Sequence, residues 1–172
     1  MNVAEFNRNA MERAGNEIPI FFSTDDNYIP YLDVSVASLI ENASKQYQYR
    51  LVVLNTGLKQ ENVDKVKQNE RTGFAIDFVD ISKEVEKIKD RFKSVYHFSI
   101  VTYYRLFISS LFPQYDKILY LDCDIVVLGD VSSFDHRDRY GHRIRGQYSA
   151  GNSTLVLRAY RRGLVHGAPI CP

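Results

Sequence analysis

The chain lacks tryptophan and contains only two cysteines, five prolines and nine glycines among its 172 residues. Cys123 and Cys171 are too few for the disulfide framework of a small secreted domain, so we expect reduced thiols. No run of about 18 apolar residues is present, so no membrane-spanning helix is expected. Residues 1–17 are polar and lack the apolar core of a signal peptide, which makes a cytoplasmic location the expectation.

Net charge is also nearly absent, at +1, so no overall field favours nucleic acid or a membrane surface. The charge is nevertheless uneven, because residues 135–172 contain seven arginines and no lysine. We interpret this tail as a truncated or out-of-frame ending, or as a poorly folded segment. A nucleic-acid-binding arm is the less favoured alternative, since aromatic residues are sparse and no basic stripe repeats.

Hydrophobic patterning divides the chain into a polar leader (1–17), an α/β domain (18–134) and the basic tail (135–172). Short apolar or β-branched runs predict strands at 18–23, 49–54, 74–79, 117–121 and 125–128. Helical spacing predicts helices at 31–44, 59–70 and 103–111. Alternating strands and helices with short connections indicate a mostly parallel sheet with helices on both faces.

Two acidic clusters follow predicted strands. Asp25 and Asp26 follow the first strand, and Asp122 and Asp124 follow the fourth. Ligands of such sheets bind outside the carboxyl ends of the strands. We therefore expect the two clusters to form one site.

The Asp-x-Asp cluster has the features of a metal site. In an extended chain Asp122 and Asp124 point the same way, and their like charges repel. Mg²⁺ or Mn²⁺ relieves that repulsion, and the ion keeps positions open for diphosphate oxygens. A pair of solvated aspartates at a strand end is the alternative. The apolar runs on both sides of the cluster favour the metal.

The turn after the first strand has two interpretations. Asp25 and Asn27 can hydrogen-bond the edge of a base, and Tyr28 can stack on a ring. Alternatively, the same residues cap the helix that follows, since Asp and Asn are favoured at that position.

Arg105 is the only charge between residues 96 and 112, apart from any charge on His97. A half-buried arginine needs an anionic partner. It either pairs with Asp122 or Asp124, or it binds phosphate through its planar fork. Both roles stay open at the level of sequence.

Three segments together resemble glycosyltransferase family 8, which includes bacterial lipopolysaccharide galactosyl- and glucosyltransferases and glycogenin. They are Phe21–Tyr28, Ser99–Leu106 and Lys117–Ile125, in the family's order and spacing. The resemblance covers residues 18–134. It implies a GT-A fold with a Rossmann-like sheet, a UDP-sugar donor, Mn²⁺ (or Mg²⁺) and retention of anomeric configuration. It also implies a saccharide or lipid-linked saccharide acceptor, as in lipopolysaccharide or surface polysaccharide synthesis.

The resemblance also implies a role for each matching residue. Asp122 and Asp124 correspond to the metal-binding pair, and Arg105 to an arginine that contacts the donor sugar and phosphates. The remaining correspondences are uridine contacts at Asp25, Asn27 and Tyr28 (with Tyr28 stacking on uracil), backbone contacts at Thr24 and Cys123, and an acceptor contact at His97.

Residues 135–172 depart from the family pattern. The expected Asn-Ala-Gly segment, the acidic region beside the donor sugar and the late metal-binding histidine are not recognisable there. The resemblance therefore implies a sheet incomplete at the C-terminus, with catalytic residues outside this sequence and membrane contact only in a longer form.

Two other functions are weighed beside the glycosyltransferase. One is a truncated, inactive fragment that binds nucleotide. The other is a phosphohydrolase of the haloacid dehalogenase type, which also uses Asp-x-Asp. That class usually has threonine where this chain has Val126, and its motif lies on an early strand.

Overall fold

The computed structural model describes residues 1–11, 17–87, 100–115, 117–132 and 158–161. Its centre is a sheet whose strands are β1 (Glu17–Ser23), β2 (Gln48–Asn55), β3 (Phe74–Asp80), β4 (Lys117–Tyr120) and β5 (Arg158–Arg161). The strand order is β3-β2-β1-β4-β5. The first four strands run parallel, and β5 pairs antiparallel with β4. The predicted mostly parallel sheet is confirmed.

The helices lie between these strands. The α-helices are α1 (Val3–Met11), α2 (Ile29–Asn42), α3 (Gln60–Lys67), α4 (Ser82–Glu86) and α5 (Ile108–Leu111). A 3-10 turn at Asp26–Tyr28 precedes α2, and a 3-10 helix at Ile100–Phe107 precedes α5. The predicted helix at 103–111 is therefore a 3-10 helix followed by one α-helical turn. In the described part of the chain, no helix combines the length and apolarity needed to cross a bilayer.

Adjacent residues of a strand point to opposite faces of the sheet, and both faces are buried. Phe22 packs with the apolar face of α2, which includes Leu32 and Leu39, in one core cluster. Phe21 points the other way and packs against Phe112, with ring centroids 5.0 Å apart. The helices thus cover both faces, as expected for a parallel sheet.

The polar leader contains a helix that the sequence pattern does not predict. Phe6 of α1 is buried and makes an edge-to-face contact with Phe112 at 5.4 Å. Met1, just before this helix, is bonded to β3. Its ammonium donates to the Phe78 carbonyl, and its own carbonyl accepts from the Asp80 amide. Few apolar side chains fix this helix, which is why its sequence signal is weak.

The predicted strand at 125–128 is wrong. This segment pairs with no strand among the described residues, although its side chains alternate: Val126 is 55% exposed and Leu128 85%. Its backbone is instead bonded to α2. The Val127 amide donates to Ser38 Oγ at 3.0 Å, and the Val127 carbonyl accepts from Asn42 Nδ2 at 3.1 Å.

A buried ion triad crosses the amino-terminal half of the sheet. The Arg50 side chain is only 5% exposed. Its Nε lies 2.8 Å from a Glu17 carboxylate oxygen, and its Nη1 contacts the Asp77 carboxylate. The three residues come from β2, β1 and β3 respectively, so the triad connects three neighbouring strands.

Candidate functional site

The pairing of β1 with β4 brings the two acidic clusters together. Phe21 lies opposite Tyr120, and the Leu121 amide donates to the Phe21 carbonyl at 2.9 Å. Both chains then leave the sheet at its carboxyl edge. Just beyond the strands, Thr24 and Cys123 are both buried, and the Thr24 amide donates to the Leu54 carbonyl. The turn that begins at residue 24 and the Asp-x-Asp segment are therefore direct neighbours.

Cys123 separates two carboxylates that lie nearer to solvent. Burial, together with the smaller effect of the negative charges of Asp124 and Asp122, raises the pKa of the Cys123 thiol to about 12. The thiol is therefore neutral at physiological pH, and thiolate rather than thiol is the metal-binding form. Asp124 is exposed and the Asp122 side chain is partly exposed, so both carboxylates are available at the surface.

Arg105 of the 3-10 helix reaches this cluster. Its Nη2 lies 3.5 Å from Oδ1 of Asp122, and its guanidinium lies 4.9 Å from the centroid of the Tyr120 ring. Tyr120 is itself fixed, because its hydroxyl donates to Ser23 Oγ at 3.1 Å. The structure thus shows the carboxylate pairing considered for Arg105, and its contact with phosphate stays a prediction.

In the turn after β1, Asp25 acts as a cap. Its Oδ1 accepts the backbone amides of Asn27 at 2.9 Å and Tyr28 at 3.2 Å. Asp25 therefore caps the 3-10 turn, whereas α2, whose N-cap is Tyr28, has no side-chain cap; this role of Asp25 does not exclude a ligand contact. The side chains of Asn27 and Tyr28 are exposed, and the Tyr28 ring lies 5.5 Å from the Tyr31 ring. The Thr24 amide donates to Leu54, so a backbone contact from Thr24 would use its carbonyl.

Tyr104 is a site neighbour that sequence reasoning missed. Its buried hydroxyl lies 2.8 Å from Thr56 Oγ1, just beyond β2. Burial raises the pKa of this phenol, and the charges of Asp25 and Asp80 raise it further. Tyr104 therefore ties the 3-10 helix that carries Arg105 to the same edge of the sheet. Its position next to Arg105 in the sequence is the signal that could have identified it.

Some predicted features lie outside the described residues. They are His97, the predicted acceptor contact, and the basic tail except for β5. The β5 segment shows that at least residues 158–161 of the tail join the sheet, beside β4.

The residues present fit a divalent ion held in an open site. Within the described ranges, no group of three or more His, Cys, Asp or Glu side chains could enclose a metal. Asp122 and Asp124 carry two carboxylates, the type of oxygen group that Mg²⁺ and Mn²⁺ prefer as ligands. Such ions fill their remaining positions with water and substrate phosphates, so two carboxylates are sufficient protein ligands.

Comparison with known proteins decides the family. The model of "Glycosyl transferase family 8" matches residues 19–143, a region that contains both acidic clusters and Arg105. The chain belongs to glycosyltransferase family 8. This membership overturns the haloacid dehalogenase alternative.

Curated relatives of this family 8 chain are distant. General stress protein A of Bacillus subtilis is 25% identical over 130 residues, which are 74% of this chain and 44% of that protein. A putative glycosyltransferase of Haemophilus influenzae is 28% identical over 105 residues, or 61% of this chain and 31% of the relative. This chain thus spans less than half the length of either protein.

Solved structures support the fold. The galactosyltransferase LgtC, in complex with donor and acceptor sugar analogues, is 31% identical with a TM-score of 0.56, over 70% of this chain and 43% of LgtC. The bifunctional glycosyltransferase WbbM is 24% identical with a TM-score of 0.64, over 83% of this chain and 27% of WbbM. The predicted GT-A fold of this family 8 chain is confirmed.

Proposed function

We propose that this family 8 chain carries the nucleotide-sugar-binding part of a retaining hexosyltransferase. The enzyme transfers a sugar from a UDP-sugar to a saccharide or lipid-linked saccharide acceptor, with Mn²⁺ or Mg²⁺ as cofactor. The observation that carries this proposal is the register of β1 and β4, in which the Leu121 amide donates to the Phe21 carbonyl, so that the two acidic clusters leave the sheet side by side. A role in lipopolysaccharide or surface polysaccharide synthesis follows from the family resemblance.

The carboxylates of Asp122 and Asp124 would hold the metal at the carboxyl edge of the sheet. When bound, the ion supplies positive charge that stabilises the departing diphosphate. Arg105 adds a fixed positive charge beside Asp122, 3.5 Å from its Oδ1. We therefore assign Arg105 to the phosphates and the donor sugar, where a guanidinium binds anionic oxygens well.

The turn after β1 would bind the uridine. Tyr28 is 46% exposed, so one face of its ring is open to stack on uracil. Asn27 is exposed beside it, and Asp25 fixes the backbone of both residues. Thr24 directly precedes the base-binding turn and Cys123 lies between the two aspartates in the sequence, and the backbone groups of both would contact the nucleotide.

We place the groups that act at the anomeric carbon outside the described residues. His97 stays the proposed acceptor contact. A second candidate is nucleotide binding without turnover. The residues assigned above all bind the donor, so they support both candidates. Detecting transferred sugar in a mixture of UDP-sugar, Mn²⁺ and saccharide acceptor would separate the two candidates.

Calorimetric titration tests Mn²⁺-dependent UDP binding, which both candidate functions require. UDP should bind roughly tenfold or more tightly with Mn²⁺ than with a chelator present, because Asp122 and Asp124 would hold the ion and the ion would supply positive charge to the diphosphate. Circular dichroism on the same sample checks that the chain is folded. Equal affinity with and without the metal in a folded sample would contradict the proposal.

A further inference from the structure

Asp26 connects the base-binding turn to another part of the fold. It is the first residue of the 3-10 turn at Asp26–Tyr28. Its Oδ1 accepts the Lys59 amide at 3.1 Å and the Asn62 side-chain amide at 2.7 Å. Both donors lie at the start of α3, more than 30 residues further along the chain. The turn is therefore bonded to a helix that follows a different strand.

The start of α3 has no cap of its own. Lys59 is the N-cap residue, and its side chain makes no capping hydrogen bond. Asp26 supplies a carboxylate at this end, where the helix dipole favours negative charge. Hydrogen bonds from Asn62 and then from Lys59 lower the pKa of Asp26. The carboxylate is therefore ionised at neutral pH, and the charged form makes both bonds.

The two neighbouring aspartates of the turn have different partners. Asp25 bonds the amides of Asn27 and Tyr28 within the turn. Asp26 bonds α3 outside it. Asp25 therefore determines the shape of the turn, and Asp26 determines where the turn sits relative to the rest of the domain.

We propose that Asp26 is a positioning residue for the nucleotide base. Its bonds to α3 hold the exposed side chains of Asn27 and Tyr28 in place before the nucleotide arrives, which lowers the ordering cost of binding. This inference rests on the proposed function. It assigns Asp26 to the base half of the ligand, whereas Asp122 and Asp124 serve the diphosphate half.

Asn62→Ala tests the proposal without touching the turn itself. Calorimetry in the presence of Mn²⁺ would compare UDP, which has the base, with inorganic pyrophosphate, which lacks it. We expect Asn62→Ala and Asp26→Ala each to weaken UDP binding roughly fivefold and to change pyrophosphate binding less than about twofold. The double variant should lose less than the product of the single effects, because both substitutions break the same contact.

Gln60→Ala is the matched control. Gln60 also lies in the first turn of α3, but its side chain bonds Asp64 within the helix. The affinity of the Gln60→Ala variant for UDP and for pyrophosphate should equal that of the wild type. Equal losses for UDP and pyrophosphate in Asn62→Ala, or no loss for either, would overturn the proposal for Asp26. Absence of Mn²⁺-dependent UDP binding in the wild type would instead overturn the proposed function.

Discussion

Asp124→Asn is expected to weaken Mn²⁺-dependent UDP binding by roughly 100-fold or more. Even second-sphere partners of a metal contribute about 10- to 100-fold to its affinity, and a ligand that loses its charge should cost at least as much. Asp124 is exposed, so the amide leaves the fold unchanged. Titration of UDP with and without Mn²⁺ measures the loss.

Asp122→Asn should show the same loss, although this substitution changes a second interaction besides metal binding. Asp122 also pairs with Arg105, and the neutral amide weakens that contact. Asp64→Asn is the matched control, because Asp64 is an exposed carboxylate on α3 that accepts a hydrogen bond from the Gln60 side chain. Full metal dependence in both Asp122→Asn and Asp124→Asn would exclude the carboxylate pair as the metal site.

Arg50→Ala is expected to lower the free energy of unfolding by about 3–5 kcal/mol, because it leaves two carboxylates without their buried partner. Glu17 and Asp77 both contact the guanidinium, and the arginine side chain is only 5% exposed. The triad connects β1, β2 and β3, so its loss affects the centre of the sheet. Urea denaturation followed by circular dichroism measures the change.

Lys65→Ala provides the comparison for an exposed ion pair. Its ammonium lies 3.6 Å from the Asp33 carboxylate, but the lysine side chain is 52% exposed. Surface pairs of this kind contribute about 0–1 kcal/mol. If Arg50→Ala destabilised the chain as little as Lys65→Ala does, the triad would have no special role in stability.

Local pattern was sufficient for the first three strands. Each is a short run of apolar or β-branched residues, and tertiary pairing extended each run by at most two residues. The carboxyl-end rule for parallel sheets then correctly anticipated that Asp25 and Asp122 belong to one edge. Predicting this shared edge required only that each aspartate directly follows a strand.

The segment at 125–128 shows where local pattern fails. Its residues have strand-like alternation, and Ile125 and Val127 are indeed buried. The partner of its backbone is α2, through Ser38 and Asn42. Alternation reports which side chains face the core, but it does not report whether a neighbouring strand or a helix satisfies the backbone.

Long-range contacts explain the missed parts of the site. The bond between Asp26 and Asn62 joins residues 36 positions apart, and that between Thr56 and Tyr104 joins residues 48 apart. Neither residue pair has a spacing that a sequence motif could reveal. Both contacts depend on which strands are neighbours in the sheet, so they become visible only in the folded chain.

The central claim is that the turn after β1 and the Asp-x-Asp segment bind one metal–nucleotide complex. Paramagnetic broadening of backbone amide signals by Mn²⁺ in the presence of UDP tests it directly. Signals of residues 24–25 and 122–124 should broaden together. Those of Gln48 and Phe74 should remain sharp, because these residues begin β2 and β3 at the sheet edge away from the site. Broadening at only one of the two segments, or at neither, would contradict the shared site.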